Sequence, residues 1–451
     1  MMRLSQAAGA LHAQLLGADA EFTAVSTDTR TIRPGALFVA LRGERFDGHA
    51  FLAQAAAAGA AAALVDEKFT ASAPLPLLRV PDTRLALGQL AAYWRGKFDI
   101  PLVAVTGSNG KTTVKEMIAA ILRAQCGDDA QVLATEGNLN NDIGVPQMLL
   151  RLNAAHRYAV IEMGMNHFGE IDYLTHLARP DVALVNNAQA AHLAGVGSVE
   201  GVARAKGEIY GGLRAGGTAV INADDAHAPL WRDLAAGKNI LEFGLDHPAA
   251  VSGSYQLLPD GAELDIVVPQ GTVRARLHAA GVHNVRNALA ASAVASALGV
   301  PCELIGQGLE RFVPVKGRLQ RKPALHGATL IDDTYNANPS SMRAAIDVLA
   351  GLPGKRVLVL GDMGELGDEA WKLHGDIGAY ARERGIDILF CLGDNARNMA
   401  AQFGRNAWHF ERIEELLADL ENLLAPEVTV LVKGSRFMEM ERVVKSFEEP
   451  R

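Results

Sequence analysis

Residues 102–114 read LVAVTGSNGKTTV, and no other stretch constrains this chain as much. A short apolar, β-branched run, Leu102 to Thr106, meets the turn Gly107-Ser108-Asn109-Gly110. Lys111, Thr112 and Thr113 then open a helix that continues through Met117, Ile118 and Ile121. Strand, turn and helix N-terminus together make a phosphate cradle. Backbone N–H groups and the helix dipole face an anion, Lys111 reaches the outer phosphates, and the Thr112 hydroxyl can hold Mg²⁺. The usual pattern places a glycine five residues before Gly110, where this chain has Val105. An ordinary strand-to-helix turn is the plain alternative. The context of Gly-Lys-Thr-Thr favours a nucleoside triphosphate as ligand.

The 451 residues suffice for about three domains, each able to bury its own core. A net charge of −8 gives no electrostatic support to a nucleic-acid partner. The three cysteines, Cys126, Cys302 and Cys391, show neither metal spacing nor a disulfide pattern, which suits a reducing compartment. No basic-then-apolar leader is present, and the apolar stretch Ala55 to Val65 is too short to span a bilayer. A cytoplasmic protein without membrane insertion is expected.

Three units are expected along the chain. Residues 1–85 hold the strand-like runs Ala36–Ala40 and Ala61–Val65 around a helix closed by Gly59. Asp82 can cap a helix over Leu85 to Phe98 that leads into the phosphate loop. Residues 86–314 alternate strands (102–106, 158–162, 182–186, 218–222) with helices, which predicts a parallel sheet covered on both faces. Val313 to Gly317 reads as a linker, and residues 315–451 as a second α/β unit with strands near 330, 357, 386 and 428. Gly361, Gly364 and Gly367 are spaced G-x-x-G-x-x-G, a tight turn rather than a dinucleotide fingerprint.

Several polar residues fall at the C-terminal ends of these strands, the edge where open α/β sheets bind ligands. Glu162 reads as a Mg²⁺ ligand or as a surface glutamate. His192 reads as a metal ligand, an acid–base group or an ordinary loop histidine. Lys206, on the next helix, reads by default as a solvated lysine. Asn284 and Asn287 share a helix face and suit a nucleobase edge, or Asn284 caps the helix. The run Asp332 to Met342 reads as a ligand loop or an elaborate cap, and Arg318 before it can meet a phosphate bidentately.

Taken in order, TGSNGKTT, EGNLNNDIGVP, IEMGMNHFGEI, NNAQAAHLAGVGS, AKGEI, GVHNVRNALAA, KGRLQ, DDTYNANPSSM and VLVKGSR closely resemble the Mur ligases of bacterial peptidoglycan synthesis. STDTR and FDGHAF extend the resemblance to essentially the whole chain, and this family writes its phosphate loop TGxNGKTT. The resemblance implies three domains: a small α/β one for a UDP-sugar, a central parallel-sheet ATPase-like one, and a Rossmann-like one for the incoming amino compound. It implies that Gly107, Ser108, Asn109, Gly110, Lys111, Thr112 and Thr113 hold ATP phosphates, with Asn287 on the adenine. Arg318 and Asp333 would face the nucleotide from the last domain. Thr112, Glu162, His192 and a carbamylated Lys206 would surround Mg²⁺. Ser26, Asp28, Arg30, Asn138, Asn140 and Asn141 would contact the UDP-sugar, and Asn336, Asn338 and Lys433 would lie near the acceptor. Phe437-Met438-Glu439 is bulkier and more acidic than the family pattern suggests.

YNANPSSM and the first-domain segments favour the step that adds D-alanyl-D-alanine to UDP-N-acetylmuramoyl-tripeptide through an acyl phosphate. A monomer suffices for that. The alternatives are another amino-acid-adding ligase, a folylpolyglutamate synthase, or a nucleotide-dependent switch.

Overall fold

The computed structural model describes residues 1–44, 46–190 and 193–449, apart from the side chain of Ala194. Its first unit is a five-stranded sheet in the order 14–16, 77–80, 62–66, 36–39, 24–26, with 14–16 antiparallel to an otherwise parallel set. The central sheet has six parallel strands in the order 239–243, 218–222, 182–185, 102–106, 158–162, 132–134. The last sheet runs 320–323, 329–333, 428–433, 355–361, 388–392, 407–410, and only 320–323 is antiparallel.

The apolar strand sequences follow from burial on both faces. Along Leu102–Thr106, Leu102 and Ala104 enter one core while Val103 and Val105 enter the core on the opposite face. The same division separates Leu358 and Leu360 from Val357 and Val359 in the last sheet.

Asp82 caps the helix Thr83–Arg95 by accepting from the N–H groups of Arg84 and Leu85. Such a cap contributes about 1 kcal/mol. The helix starts two residues before the expected Leu85, so the 85/86 division falls inside its first turn. Its buried face, including Leu87 and Leu90, joins a core that runs without a break from the first unit to one face of the central sheet. The last unit has two cores of its own, one on each face of its sheet. Val313, 74% exposed, lies in the segment without helix or strand that leads to it.

A three-stranded antiparallel sheet, 252–258, 261–268 and 271–277, is the main element absent from the sequence reading. It covers the helices 282–297 and 302–311, which in turn pack on the helix 111–126 on the second face of the central unit.

Candidate active site at the phosphate loop

In the central sheet the connection after Leu102–Thr106 leads to the edge strand 132–134 on one side, whereas that after its neighbour 182–185 leads to 218–222 on the other, so the two strands flank a topological switch point. The C-terminal end of Leu102–Thr106 opens into a cavity of about 920 Å³ that the last unit closes from the other side. Glu162 ends one flanking strand, Asn186 directly follows the other, and the two stand on either side of the phosphate loop.

The loop is shaped by amides from the segment after Val185. Ser108 N–H donates to the Asn187 carbonyl (3.0 Å) and Asn109 N–H to Asn187 Oδ1 (2.8 Å). Asn186 Nδ2 donates to the Asn109 carbonyl and to Asn287 Oδ1, both at 3.0 Å. Gly110 has φ +78°, and a Cβ there would meet Asn287 Oδ1 at 2.5 Å and Asn186 Nδ2 at 2.6 Å. Only glycine fits that backbone and that space. The helix Lys111–Cys126 begins immediately after, so its first N–H groups face the cavity without intrahelical partners.

Lys111 Nζ donates to the Gly107 carbonyl at 2.7 Å, folded back over its own loop. Burial lowers its pKa; Glu162 opposes that shift and Arg318 adds to it. Glu162 is buried; Oε1 accepts from Asn140 Nδ2 at 2.8 Å and Oε2 has no partner. Lys206 is fully buried with no hydrogen bond to its amine, which corrects the expectation of a solvated lysine. Burial, and secondarily the charge of Lys111, pushes its pKa well below the ordinary lysine value, which favours the neutral amine. Its position on the helix Val199–Gly207 was readable: Val202 and Ala203, one turn earlier, are buried on the same face.

Thr112 Oγ1 accepts from Arg318 Nη2 at 2.9 Å, a contact between the central and last units. The Arg318 guanidinium also lies 4.3 Å from the centre of the Tyr335 ring. Asn338 Nδ2 donates to Asn109 Oδ1 at 2.8 Å, while Asn338 Oδ1 caps the helix Pro339–Ala350 through Ser341 N–H. Lys433 Nζ bridges Asp333 Oδ2 (2.6 Å) and the Asn336 carbonyl (2.9 Å). Burial raises the Asp333 pKa, with Lys433 opposing.

The cavity thus gathers Ser108 to Lys111, Thr113, Glu162, Asn287, Arg318 and Asp333, together with the asparagines 138, 140, 141, 336 and 338. Ser26, Asp28 and Arg30 are not on its wall; Arg30 clamps Asp28 (2.6 Å), and the Ser26 hydroxyl accepts from Asp28 N–H. His192 lies outside the described residues. Asn284 does not cap its helix, which starts at Val282. Its Oδ1 instead accepts from Asn287 Nδ2 at 3.1 Å and so orients that amide. The amides of Asn186, Asn187 and Gln189 are among the wall residues to which sequence reading gave no role, although they stood at the end of a recognised strand.

Among the described residues no three His, Cys, Asp or Glu side chains converge as a ready-made metal site. The orphaned Glu162 oxygen and the Thr112 hydroxyl fit Mg²⁺, which binds through one or two carboxylates together with substrate phosphates. Among the described residues no helix is long and apolar enough to cross a membrane.

Comparison with known proteins agrees with this geometry. Residues 21–95 match the description "Mur ligase family, catalytic domain", residues 105–295 "Mur ligase middle domain", and residues 317–436 "Mur ligase, glutamate ligase domain". The chain is 46% identical to the UDP-N-acetylmuramoyl-tripeptide–D-alanyl-D-alanine ligase of Escherichia coli, over 99% of this chain and 98% of that one. A crystal structure of MurF from Acinetobacter baumannii superposes with a TM-score of 0.92 at 40% identity, covering 99% of this chain and 98% of that one. MurF ligase from Thermotoga maritima in complex with ADP gives 0.83 at 27% identity, over 94% and 96%. With full-length identity of this order and a phosphate loop at the expected switch point, the chain belongs to the Mur ligase family.

Proposed function

We propose that this chain is an ATP-dependent ligase that joins D-alanyl-D-alanine to the terminal carboxylate of UDP-N-acetylmuramoyl-tripeptide during peptidoglycan synthesis. The observation that carries the reading is 46% identity across 99% of the chain to an enzyme of that name. The division into residues 1–85 for the UDP-sugar, 86–314 for ATP and 315–451 for the dipeptide belongs to the same proposal. So do action in the cytoplasm and as a monomer.

The chemistry follows from the reactants. A carboxylate does not acylate an amine at neutral pH, because its oxygens are poor leaving groups. The tripeptide carboxylate attacks the γ-phosphorus of ATP, giving an acyl phosphate and ADP. The free amine of D-alanyl-D-alanine adds to the acyl carbon, and the tetrahedral intermediate collapses with loss of phosphate. Lys111 swings from the Gly107 carbonyl onto the phosphates and offsets charge during transfer. Mg²⁺, held by Thr112 and Glu162 and by His192 as the family implies, supplies further charge neutralisation when bound. A lysine amine attacks CO₂ in its neutral form, which the burial of Lys206 favours. Formation of the N–C bond with loss of a proton turns a buried amine into an anionic oxygen ligand. Arg318 and Asp333 complete the site from the last unit, whose closure excludes the water that would hydrolyse the acyl phosphate.

The test is phosphate release from ATP and Mg²⁺ with UDP-N-acetylmuramoyl-tripeptide, with and without D-alanyl-D-alanine, with products weighed by mass spectrometry. Phosphate matched by UDP-N-acetylmuramoyl-pentapeptide is expected. Release independent of both substrates would return the chain to the generic ATPases.

A further inference from the structure

Asn140 stands in the loop that sequence reading assigned to the UDP-sugar, yet its hydrogen bonds face the other way. Its Nδ2 donates to Glu162 Oε1 at 2.8 Å, and its carbonyl accepts from Gly164 N–H at 2.7 Å. A Cβ on Gly164 would lie 3.2 Å from both Cγ and Oδ1 of Asn140, so a glycine at that point lets the amide sit against the strand end. At the start of the same loop, Thr135 Oγ1 accepts from Glu162 N–H at 2.9 Å. The buried Lys115 donates to the Thr135 carbonyl and ties the loop to the helix after the phosphate loop. The loop is therefore a bracket. It grips Glu162 by its backbone and by one carboxylate oxygen, and leaves Oε2 buried without a partner in a residue that lines the cavity.

We infer that Asn140 is a positioning residue for the reaction: it pins Glu162 Oε1 so that Oε2 is presented to a divalent cation. An unsupported glutamate loses rotamer freedom when it ligates a metal, and a neutral amide donor removes that freedom beforehand without competing for the ion. A carboxylate held on one oxygen also keeps a fixed plane, which a small octahedral ion requires. The inference rests on the reading of Glu162 as a metal ligand, and the experiment separates the two.

Mn²⁺ binding to the full chain with ADP is titrated by electron paramagnetic resonance in wild type, Glu162→Gln and Asn140→Ala. Affinity for UDP-N-acetylmuramoyl-tripeptide is measured alongside. Loss of an outer-shell partner typically weakens metal binding about 10–100-fold, and Asn140→Ala is expected in that range with sugar-nucleotide affinity unchanged. Should Asn140→Ala not fold, Asn140→Leu keeps the volume against Gly164, lacks the donor, and is expected to behave the same way. Weak Mn²⁺ binding in Glu162→Gln beside normal Mn²⁺ binding in the Asn140 variant overturns the positioning role alone. Normal Mn²⁺ binding in Glu162→Gln overturns the metal reading and the inference with it.

Discussion

A buried amine without a hydrogen-bond partner destabilises the fold that contains it, and Lys206 is such an amine. Its folded pKa lies below the unfolded value, so unfolding takes up a proton and stability rises with pH until the unfolded lysine itself loses its proton near 10.5. Lys206→Met keeps the length of the side chain and removes the polar atom. In CO₂-free buffer at pH 7 it is expected to gain about 1–3 kcal/mol of stability while losing nearly all ligase activity. The gain should shrink toward pH 10. Calorimetry across pH 6–10 checks this, and a methionine variant less stable than wild type would contradict it. Lys206→Ala is expected to recover part of its activity with short carboxylic acids, which replace the missing oxygens. Lys111 makes the contrasting case, since its amine already has carbonyl partners. Lys111→Ala should lower kcat by roughly two to three orders of magnitude, as loss of a charge-stabilising donor does, with little change in melting temperature.

The strand, turn and helix around the phosphate loop depend on one backbone angle. Gly110 at φ +78° is pressed against two amides, so Gly110→Ala adds both a strained backbone and an overlap with Asn287 and Asn186. The expected result is a loss of about 1–3 kcal/mol in stability and a sharp fall in ADP affinity, read by calorimetric titration. Near-normal ADP binding would mean that the amide wall is not part of the nucleotide site. The strands of this region were legible because burial on both faces makes them continuous apolar runs, as in Tyr158–Glu162 and Thr218–Asn222. The hairpin strands 261–268 and 271–277 carried a period-two pattern that was equally readable, with alternate residues buried against the helices beneath. Residue types at strand ends pointed to Glu162 and Asn287. They did not reveal partners, because Asn140–Glu162 and Asn284–Asn287 are settled by side-chain geometry that spacing alone leaves open.

Across the whole molecule the three units are held by different forces. The first unit and the central sheet share one apolar core, whereas the described hydrogen bonds from the last unit to the phosphate loop are polar: Arg318 to Thr112 and Asn338 with Asn109. On the proposed function, Mg²⁺ at Thr112 would take over the oxygen that Arg318 now uses, and nucleotide with metal would free the guanidinium to meet phosphate. Arg318→Ala is expected to lower kcat and, without nucleotide, to give a larger radius of gyration by X-ray scattering. An unchanged scattering profile would show that these contacts do not hold the closed arrangement. The shared core has a thermal consequence as well. Residues packed into one continuous apolar interior lose their order together, while a unit with its own two interiors can lose it separately. Heated in a calorimeter, the chain should therefore absorb heat in two steps rather than three: one for the first two sheets melting as a single body, and one for the last.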